Sequence, residues 1–346
     1  MTPALSRRTA GLVAYSYEDF PVEIGDLDLR GDNSPPLSID TILRESVTEE
    51  DTAAYGPVSG EASLRQALAD LFGACADQVI VTAGASEALH LALTCLTDPG
   101  DAVHLPRPAF PGYDQLAHLL GLRPLHYEVP GPPPGATSGV KVRVVCSPHN
   151  PSGVLARRGA MNHDLATWTV WDLCHMPLAG TGVDEFRTGM APNEVVVFSL
   201  SKLLRLPGAR VGCLVAGSAD LIATATTAKT HLSMSTSRLS QHLAARVLTN
   251  PSLRKQLAVR HTVLADLRRQ LQDAVHASKR LVAVGAQGGT HLLVHANNGD
   301  AWRILKDAGV VGLPGAVFNS PVPCVRLCTA QPADVIAAAA KVVGAL

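Results

Sequence analysis

Lys202 has the neighbours a reactive amine needs. It follows a β-rich apolar run, Val195 to Phe198, with small hydroxyls at Ser199 and Ser201, and Arg210 comes eight residues later between Gly208 and Gly212. A lysine delivered from the end of a buried strand can lose its charge by desolvation and attack an aldehyde. Taken alone, the segment reads equally well as a strand end with a solvated lysine and a basic turn. A second stretch offers an anion site. Val79 to Val81 is a short apolar strand, Thr82 to Glu87 contains a glycine turn, and an apolar helix runs through Leu89, Leu93 and Leu96 until Asp98-Pro99-Gly100 stops it. The free amides and dipole at that helix start point at an anion, with Ala85 and Ser86 best placed, and the dipole contributes about 0.3 to 2 kcal/mol. Ser86 also reads as an ordinary N-cap, which uses the same geometry.

These segments need a scaffold, and the apolar pattern supplies one. Val103 to Leu105, Lys141 to Cys146, Thr169 to Asp172 and Cys213 to Ala216 join the two strands above as short runs of the kind that parallel sheets bury. Leu64, Leu68 and Leu71 mark an amphipathic helix, Leu221 to Leu248 supplies further helices, and a long amphipathic helix from Pro251 to about His276 links two domains. Residues 24–36 read as a short extended segment ending in turn chemistry, followed by a helix capped by Ser38 or Asp40 that runs through Ile42 and Leu43 toward Glu50. Residues 281–346 alternate strand and helix as an α+β unit, with strands at Leu281 to Val284, His291 to His295 and Val325 to Cys328.

Composition narrows the class. A chain of 346 residues, 47% hydrophobic, can bury a large core and more naturally holds two domains than one. Its 29 basic and 30 acidic residues are interspersed, so neither nucleic acid nor an anionic membrane is expected as partner. No run approaches the roughly 18 to 20 apolar residues of a membrane span, and Met1 to Phe20 lacks the apolar stretch of a signal peptide, so a soluble cytoplasmic protein is expected. Seven cysteines scattered through apolar segments suit buried reduced thiols, and Cys324 with Cys328 alone makes a poor metal site, so no metal is expected.

The combination of Ser199-x-x-Lys202 with Pro207-Gly208-x-Arg210-x-Gly212 resembles the Schiff-base segment of fold type I pyridoxal phosphate (PLP) enzymes, the aspartate aminotransferase superfamily of class I/II aminotransferases. Further motifs resemble the family in its own order. Tyr55-Gly56-x-x-x-Gly60 with Leu64 and Arg65 is similar to the block whose tyrosine reaches the cofactor phosphate of a neighbouring subunit; Asn150-Pro151-x-Gly153 follows a buried strand; Asp172 ends another; Arg326 comes late, in Val325-Arg326-Leu327, after Pro314-Gly315-x-x-Phe318. The resemblance covers about residue 24 to 346. It implies an α/β fold, with a large PLP-binding domain (46–245) around a mostly parallel seven-stranded sheet and a small α+β domain formed by both termini (1–45 and 246–346).

The resemblance also implies roles. Lys202 and Asp172 are the catalytic residues, Lys202 holding PLP and Asp172 keeping the pyridine nitrogen protonated so that the ring accepts electrons from the substrate Cα. Ala85, Ser86, Ser199, Ser201 and Arg210 bind the cofactor, its phosphate going to the turn and to Arg210. Phe110 stacks on the ring, worth about 0.5 to 1.5 kcal/mol, and Asn150 donates to the phenolic oxygen. Tyr55 contributes to a partner's site in a homodimer, with a core or loop tyrosine as the plain alternative. Arg326 clamps the substrate α-carboxylate, faced by the backbone of Gly31 and by Asn150; a strand-edge arginine in a surface salt bridge is the alternative. The family usually has a tyrosine three residues after its aspartate, where this chain has His175, able to donate the same hydrogen bond or to carry charge near neutral pH. His149 reads as a neutral loop histidine rather than a substrate contact. Only twenty-two residues separate Asn150 from Asp172, which implies that much of a helix is missing there.

Two branches look nearest. Leu29, Asn33, Ser34 and Pro35 resemble the start of histidinol-phosphate aminotransferases, and Pro148 to Gly153, Ser86 to Leu89 and Trp171-Asp172 resemble capreomycidine synthase. Transamination of an amino acid, in specialised metabolism, is the expected activity. The alternative is β-elimination and cyclisation of a hydroxylated arginine-type amino acid; a decarboxylase is less favoured. A PLP-binding sensor needs a DNA-reading module, and too little chain precedes residue 24 to form one.

Overall fold

The computed structural model describes residues 6–346 apart from 15, 38, 40–41, 43–48, 50–52, 136, 162–164 and 178–182. Strands β2 (Val79–Thr82), β3 (Ala102–Arg107), β4 (Arg123–Glu128), β5 (Val140–Cys146), β6 (Trp168–Asp172), β7 (Glu194–Ser199) and β8 (Gly212–Ala216) form one sheet in the order β2-β8-β7-β6-β5-β3-β4. Neighbours from β4 to β7 pair in parallel, while β8 runs antiparallel to both β7 and β2. The mostly parallel sheet expected from the apolar runs is thus present. Every residue of β7 and of β8 is buried, which is why these strands read as continuous apolar sequence rather than alternating.

Two apolar cores clasp the sheet. One gathers Leu64, Leu68 and Phe72 of helix α1 (Ala62–Phe72) with Trp171, Phe186 and Phe198, and the other gathers helix α2 (Ala85–Leu96) and helix α3 (Gly112–Leu120) against β3, β5 and β7. Helices α4 (Ala219–Leu232) and α5 (Arg238–Thr249) lead into α6, a single helix from Pro251 to Ala277 that begins with Asn250 accepting from the Leu253 N–H and with proline in its first turn. A third core joins α6 to a four-stranded antiparallel sheet, β12-β13-β10-β9, made of β9 (Leu281–Val284), β10 (His291–Ala296), β12 (Leu313–Pro314) and β13 (Val325–Cys328), and to helix α7 (Ala333–Gly344). The N-terminal segment returns here: β1 (Leu27–Asp28) pairs in parallel with β11 (Val310–Val311), and Leu29 is fully buried in that core.

Three local expectations need correction or placement. Between β5 and β6 the described residues form only a short 3-10 turn, Arg158–Ala160, where a full helix was expected to be cut back. β4 was not anticipated; its residues alternate between exposed and partly buried because it is an edge strand paired on one side only, so its sequence lacks an apolar run. The helix expected from Ser38 or Asp40 toward Glu50 lies largely outside the described residues.

Candidate active site

The strands deliver the chemistry to one end of the sheet. β2, β3, β5, β6 and β7 all finish on the same edge, where Asp172 ends β6 and the loops or turns after the other four carry Ala85, Phe110, Asn150 and Lys202, the position where open α/β sheets bind ligands. A cavity of about 490 Å³ opens there. Twelve of the thirteen residues singled out from the sequence line it: Gly31, Ala85, Ser86, Phe110, Asn150, Asp172, His175, Ser199, Ser201, Lys202, Arg210 and Arg326. Tyr55 does not; it is 83% exposed on the surface of the chain.

Lys202 lies in a single helical turn, Leu200–Leu203, capped by Ser199, whose Oγ accepts from the Ser201 N–H at 3.2 Å. The strand that delivers it is buried throughout, as expected, and the lysine itself opens to the cavity. Its neighbours Ser201 and Leu203 are buried but Lys202 is exposed to the cavity, because it stands three residues past the strand, on the open side of the turn.

At one pole of the cavity the turn after β2 meets the turn before β8. Gly84, not Ser86, is the N-cap of α2, with φ of +91°, and Ser86 is the second helical residue. A Cβ at Gly84 would fall 2.6 Å from Arg210 Nη2, so a side chain is excluded both by backbone conformation and by the approach of the guanidinium. Arg210 donates to Ser201 Oγ at 3.4 Å, to the Pro207 carbonyl at 3.3 Å and to the Ala83 carbonyl at 3.3 Å. The first-turn N–H groups of Ala85 and Ser86 have no partner inside the helix. Beneath the turn, Glu87 pairs with buried Lys229 at 2.6 Å. Burial works against the Glu87 charge, but hydrogen bonds from Lys229 and Ser233 outweigh it and hold the carboxyl below its ordinary range.

Asp172 closes the floor. Its Oδ2 accepts from Tyr113 Oη at 2.6 Å and its Oδ1 from the Cys174 N–H at 3.0 Å. Tyr113 was not singled out from the sequence. Burial, then the Asp172 charge, pushes its phenol well above the ordinary value, so it remains a donor. Phe110 meets Tyr113 edge to face at 5.7 Å, and Gly112 leaves room for it: a Cβ there would lie 2.3 Å from the Phe110 ring.

The opposite pole is cationic and incompletely partnered. Arg326, only 5% exposed, donates to Asn150 Oδ1 at 3.2 Å and to the Arg30 carbonyl at 2.6 Å, and lies over the Phe318 ring at 4.8 Å. Its Nε is buried with no acceptor, and no carboxylate among the described residues pairs with it. The alternative of an exposed salt-bridged arginine is therefore not what the chain builds. Because Asn150 spends its oxygen on Arg326, its amide N–H groups remain to donate. Gly31 lines the cavity too, its carbonyl held by Gln331 Nε2 at 2.6 Å.

His175 stands beside Lys202 with its Nδ1 closed from solvent and unpartnered, its ring edge to face with His291 at 4.5 Å. Burial first, then the charges of Lys202 and Arg326, push His175 down to about 3 and His291 well below the ordinary imidazole value. Of the two options open to His175, carrying charge near neutral pH is thereby removed and hydrogen bonding remains. His149 is neutral for the same reason, its pKa pushed to about 3, with Nδ1 on Ser152 Oγ at 2.8 Å. No cluster of three or more metal-ligating side chains occurs among the described residues, and none of their helices is long and apolar enough to cross a membrane.

Comparison with known proteins gives this geometry a family. The model of the aminotransferase class I and II family matches residues 22–343, and the chain belongs to that family. It is 28% identical over 200 residues to the putative aminotransferase YugH of Bacillus subtilis, covering 49% of this chain and 51% of that protein. It is 29% identical over 242 residues to the arginine–pyruvate transaminase AruH of Pseudomonas aeruginosa, covering 61% of this chain and 59% of the relative. These matches thus span between half and three fifths of the relatives' own length. The fold is that of an aminotransferase from Staphylococcus aureus, with a TM-score of 0.84, 20% identity and 99% coverage of both chains. Enzymes of this family use PLP.

Proposed function

We propose that this chain is a PLP-dependent aminotransferase that works at the Cα of an amino acid. The observation that carries the reading is one cavity with an anion pole, a carboxylate floor and a buried, carboxylate-free arginine arranged around a single exposed lysine. The residues fit the cofactor: the Gly84 approach and the free amides of Ala85 and Ser86 form a cradle for a phosphate beside Arg210, and Asp172 offers a buried acceptor for a protonated ring nitrogen. When bound, PLP supplies an electron sink for the substrate Cα.

The chain's own groups do the rest. Arg210, Ser199, Ser201 and the start of α2 hold the phosphate. Tyr113 and the Cys174 N–H fix the Asp172 carboxylate, so its remaining lone pairs keep one direction. Phe110 orients the ring plane, and Asn150 and His175 hydrogen-bond its phenolic oxygen. Arg326 binds the α-carboxylate, with the Gly31 backbone beside it, and so places the Cα next to Lys202, whose Nζ moves the proton. Tyr55, exposed in a single chain, supports a homodimer in which it enters the partner's site. Residues 46–245 serve as the large domain, with 1–45 and 246–346 as the small one. Seven free cysteines support a reducing compartment.

A second reading has one specific observation in its favour. The paired neutral imidazoles of His175 and His291 make a polar wall that can accept hydrogen bonds from a hydroxyl or guanidino group, which suits elimination and ring closure on a hydroxylated arginine-type substrate. A panel of amino acids with mass analysis separates the two: a 2-oxo acid accompanied by aminated cofactor means transamination, whereas loss of water with the cofactor unchanged means elimination or cyclisation. No product from any amino acid would remove both.

A further inference from the structure

Behind Lys202 lies a second chamber of about 570 Å³, which shares Cys174, His175, Lys202 and Thr290 with the main cavity. One wall is a face of α6, where His261, Ala265 and Arg268 recur at helical spacing. Leu264, Leu267 and Leu271 anchor the helix in the third core, so that face is fixed.

Arg268 is the unusual group. A guanidinium has five N–H donors, and this one makes a single hydrogen bond, from Nη1 to the Gly289 carbonyl at 3.1 Å. Its Nε is buried without an acceptor. The carboxylate in the chamber, Asp266, is taken by an ion pair with Arg269 next in sequence. A half-buried cation with unused donors and no counter-charge among the described residues is costly unless an anion arrives, and the planar fork matches a carboxylate or phosphate. Neutral His261 adds a ring nitrogen to the same wall.

We propose that the chamber behind Lys202 is an anion site in which Arg268 takes a carboxylate or phosphate group. Its source is either the far end of an amino-acid substrate or a separate small anion; the former rests on Lys202 being the reactive lysine. The bond to Gly289 also gives Arg268 a structural duty: it holds a turn at φ +66° where an added Cβ would fall 3.1 Å from the Pro148 side chain, so loss of the side chain alone would be ambiguous.

The test uses holoenzyme, whose cofactor phosphate already fills the pole at Arg210, as wild type, Arg268→Gln and Arg268→Lys. Calorimetry measures binding of inorganic phosphate, and stopped-flow spectra follow the cofactor band with L-2-aminoadipate and, as a neutral match in length, L-norleucine. Arg268→Gln should weaken phosphate binding about tenfold or more, Arg268→Lys should restore most of it, and the norleucine rate should not move. Phosphate that competes with aminoadipate but not norleucine assigns the anion to the substrate's far end. Phosphate that binds through Arg268 and competes with neither assigns it to a free anion. Equal phosphate binding in wild type and Arg268→Gln overturns the site. If neither amino acid alters the wild-type band, neither is a substrate and the far-end source falls, while the phosphate measurement still decides the chamber and borohydride labelling decides Lys202 separately.

Discussion

The two poles of the cavity are built differently. At the Arg210 pole the side chains are held by one another and by nearby backbone: Thr82 Oγ1 donates to the Gly84 carbonyl at 2.9 Å, Ser199 caps the Lys202 turn, and Arg210 bridges Ser201, Pro207 and Ala83. At the Arg326 pole, groups from the N-terminal segment, the β5 loop, the β6 loop and β13 converge, and Arg326 Nε and His175 Nδ1 are buried without partners among the described residues. A pole whose side chains are held in place, with only helix-start amides left to donate, suits a resident group, and one whose buried side chains lack partners suits a ligand that comes and goes. The contrast teaches where to look for cofactor and where for substrate.

Substitutions can break that contrast, and the largest effect should come from the substrate pole. Arg326→Gln removes a charge-assisted fork, so KM for the amino acid should rise on the order of 10²-fold while PLP affinity stays nearly unchanged; equal loss of both would erase the distinction between the poles. Gly84→Ala should do the reverse. It forces a Cβ toward Arg210 at positive φ, so PLP should dissociate about tenfold more readily, with little change in KM for holoenzyme. Tyr113→Phe, at the floor between the poles, deletes one bond to Asp172 and should lower kcat about tenfold without changing KM, as expected for a group that acts through another.

The smallest effect sharpens the comparison through pH. His149 is 2% exposed and its folded pKa is near 3, below the ordinary value of 6.5, so the unfolded chain binds the proton more readily. The stability from its burial is therefore complete above about pH 6.5 and is lost as pH falls toward 3. At pH 5 the loss is about 2 kcal/mol. Urea unfolding of wild type and His149→Gln between pH 7.5 and 5 should show a shallower decline in the variant, and parallel curves would mean that this histidine is not held neutral.

Legibility in the sequence followed the same division. The Arg210 pole was readable because each element is local: a strand, a glycine turn and a helix start within residues 79–96, and a lysine turn within 195–212. Even there, the N-cap is Gly84 rather than Ser86, and the opening of Lys202 to the cavity has no signal in the sequence, because solvent access depends on which side of a short turn faces the cavity. Asn150 and Arg326 were found by motif, but their hydrogen bond spans 176 positions and no spacing encodes it. Tyr113, His291 and Arg268 gave no local signal. Tyr113 reads as a helix-start aromatic, His291 as a strand residue and Arg268 as part of a polar helix face, and only packing brings them to the cavity walls. Edge strand β4 was missed for a related reason, since a strand buried on little of its surface leaves no apolar run.

The central claim is that Lys202 carries the cofactor. Holoenzyme prepared with PLP, reduced with borohydride and digested should yield one phosphopyridoxyl-modified peptide, containing Lys202, and the modification should vanish in Lys202→Ala while that variant still folds. Modification at another lysine, or an unchanged labelled peptide pattern in Lys202→Ala, would contradict the account.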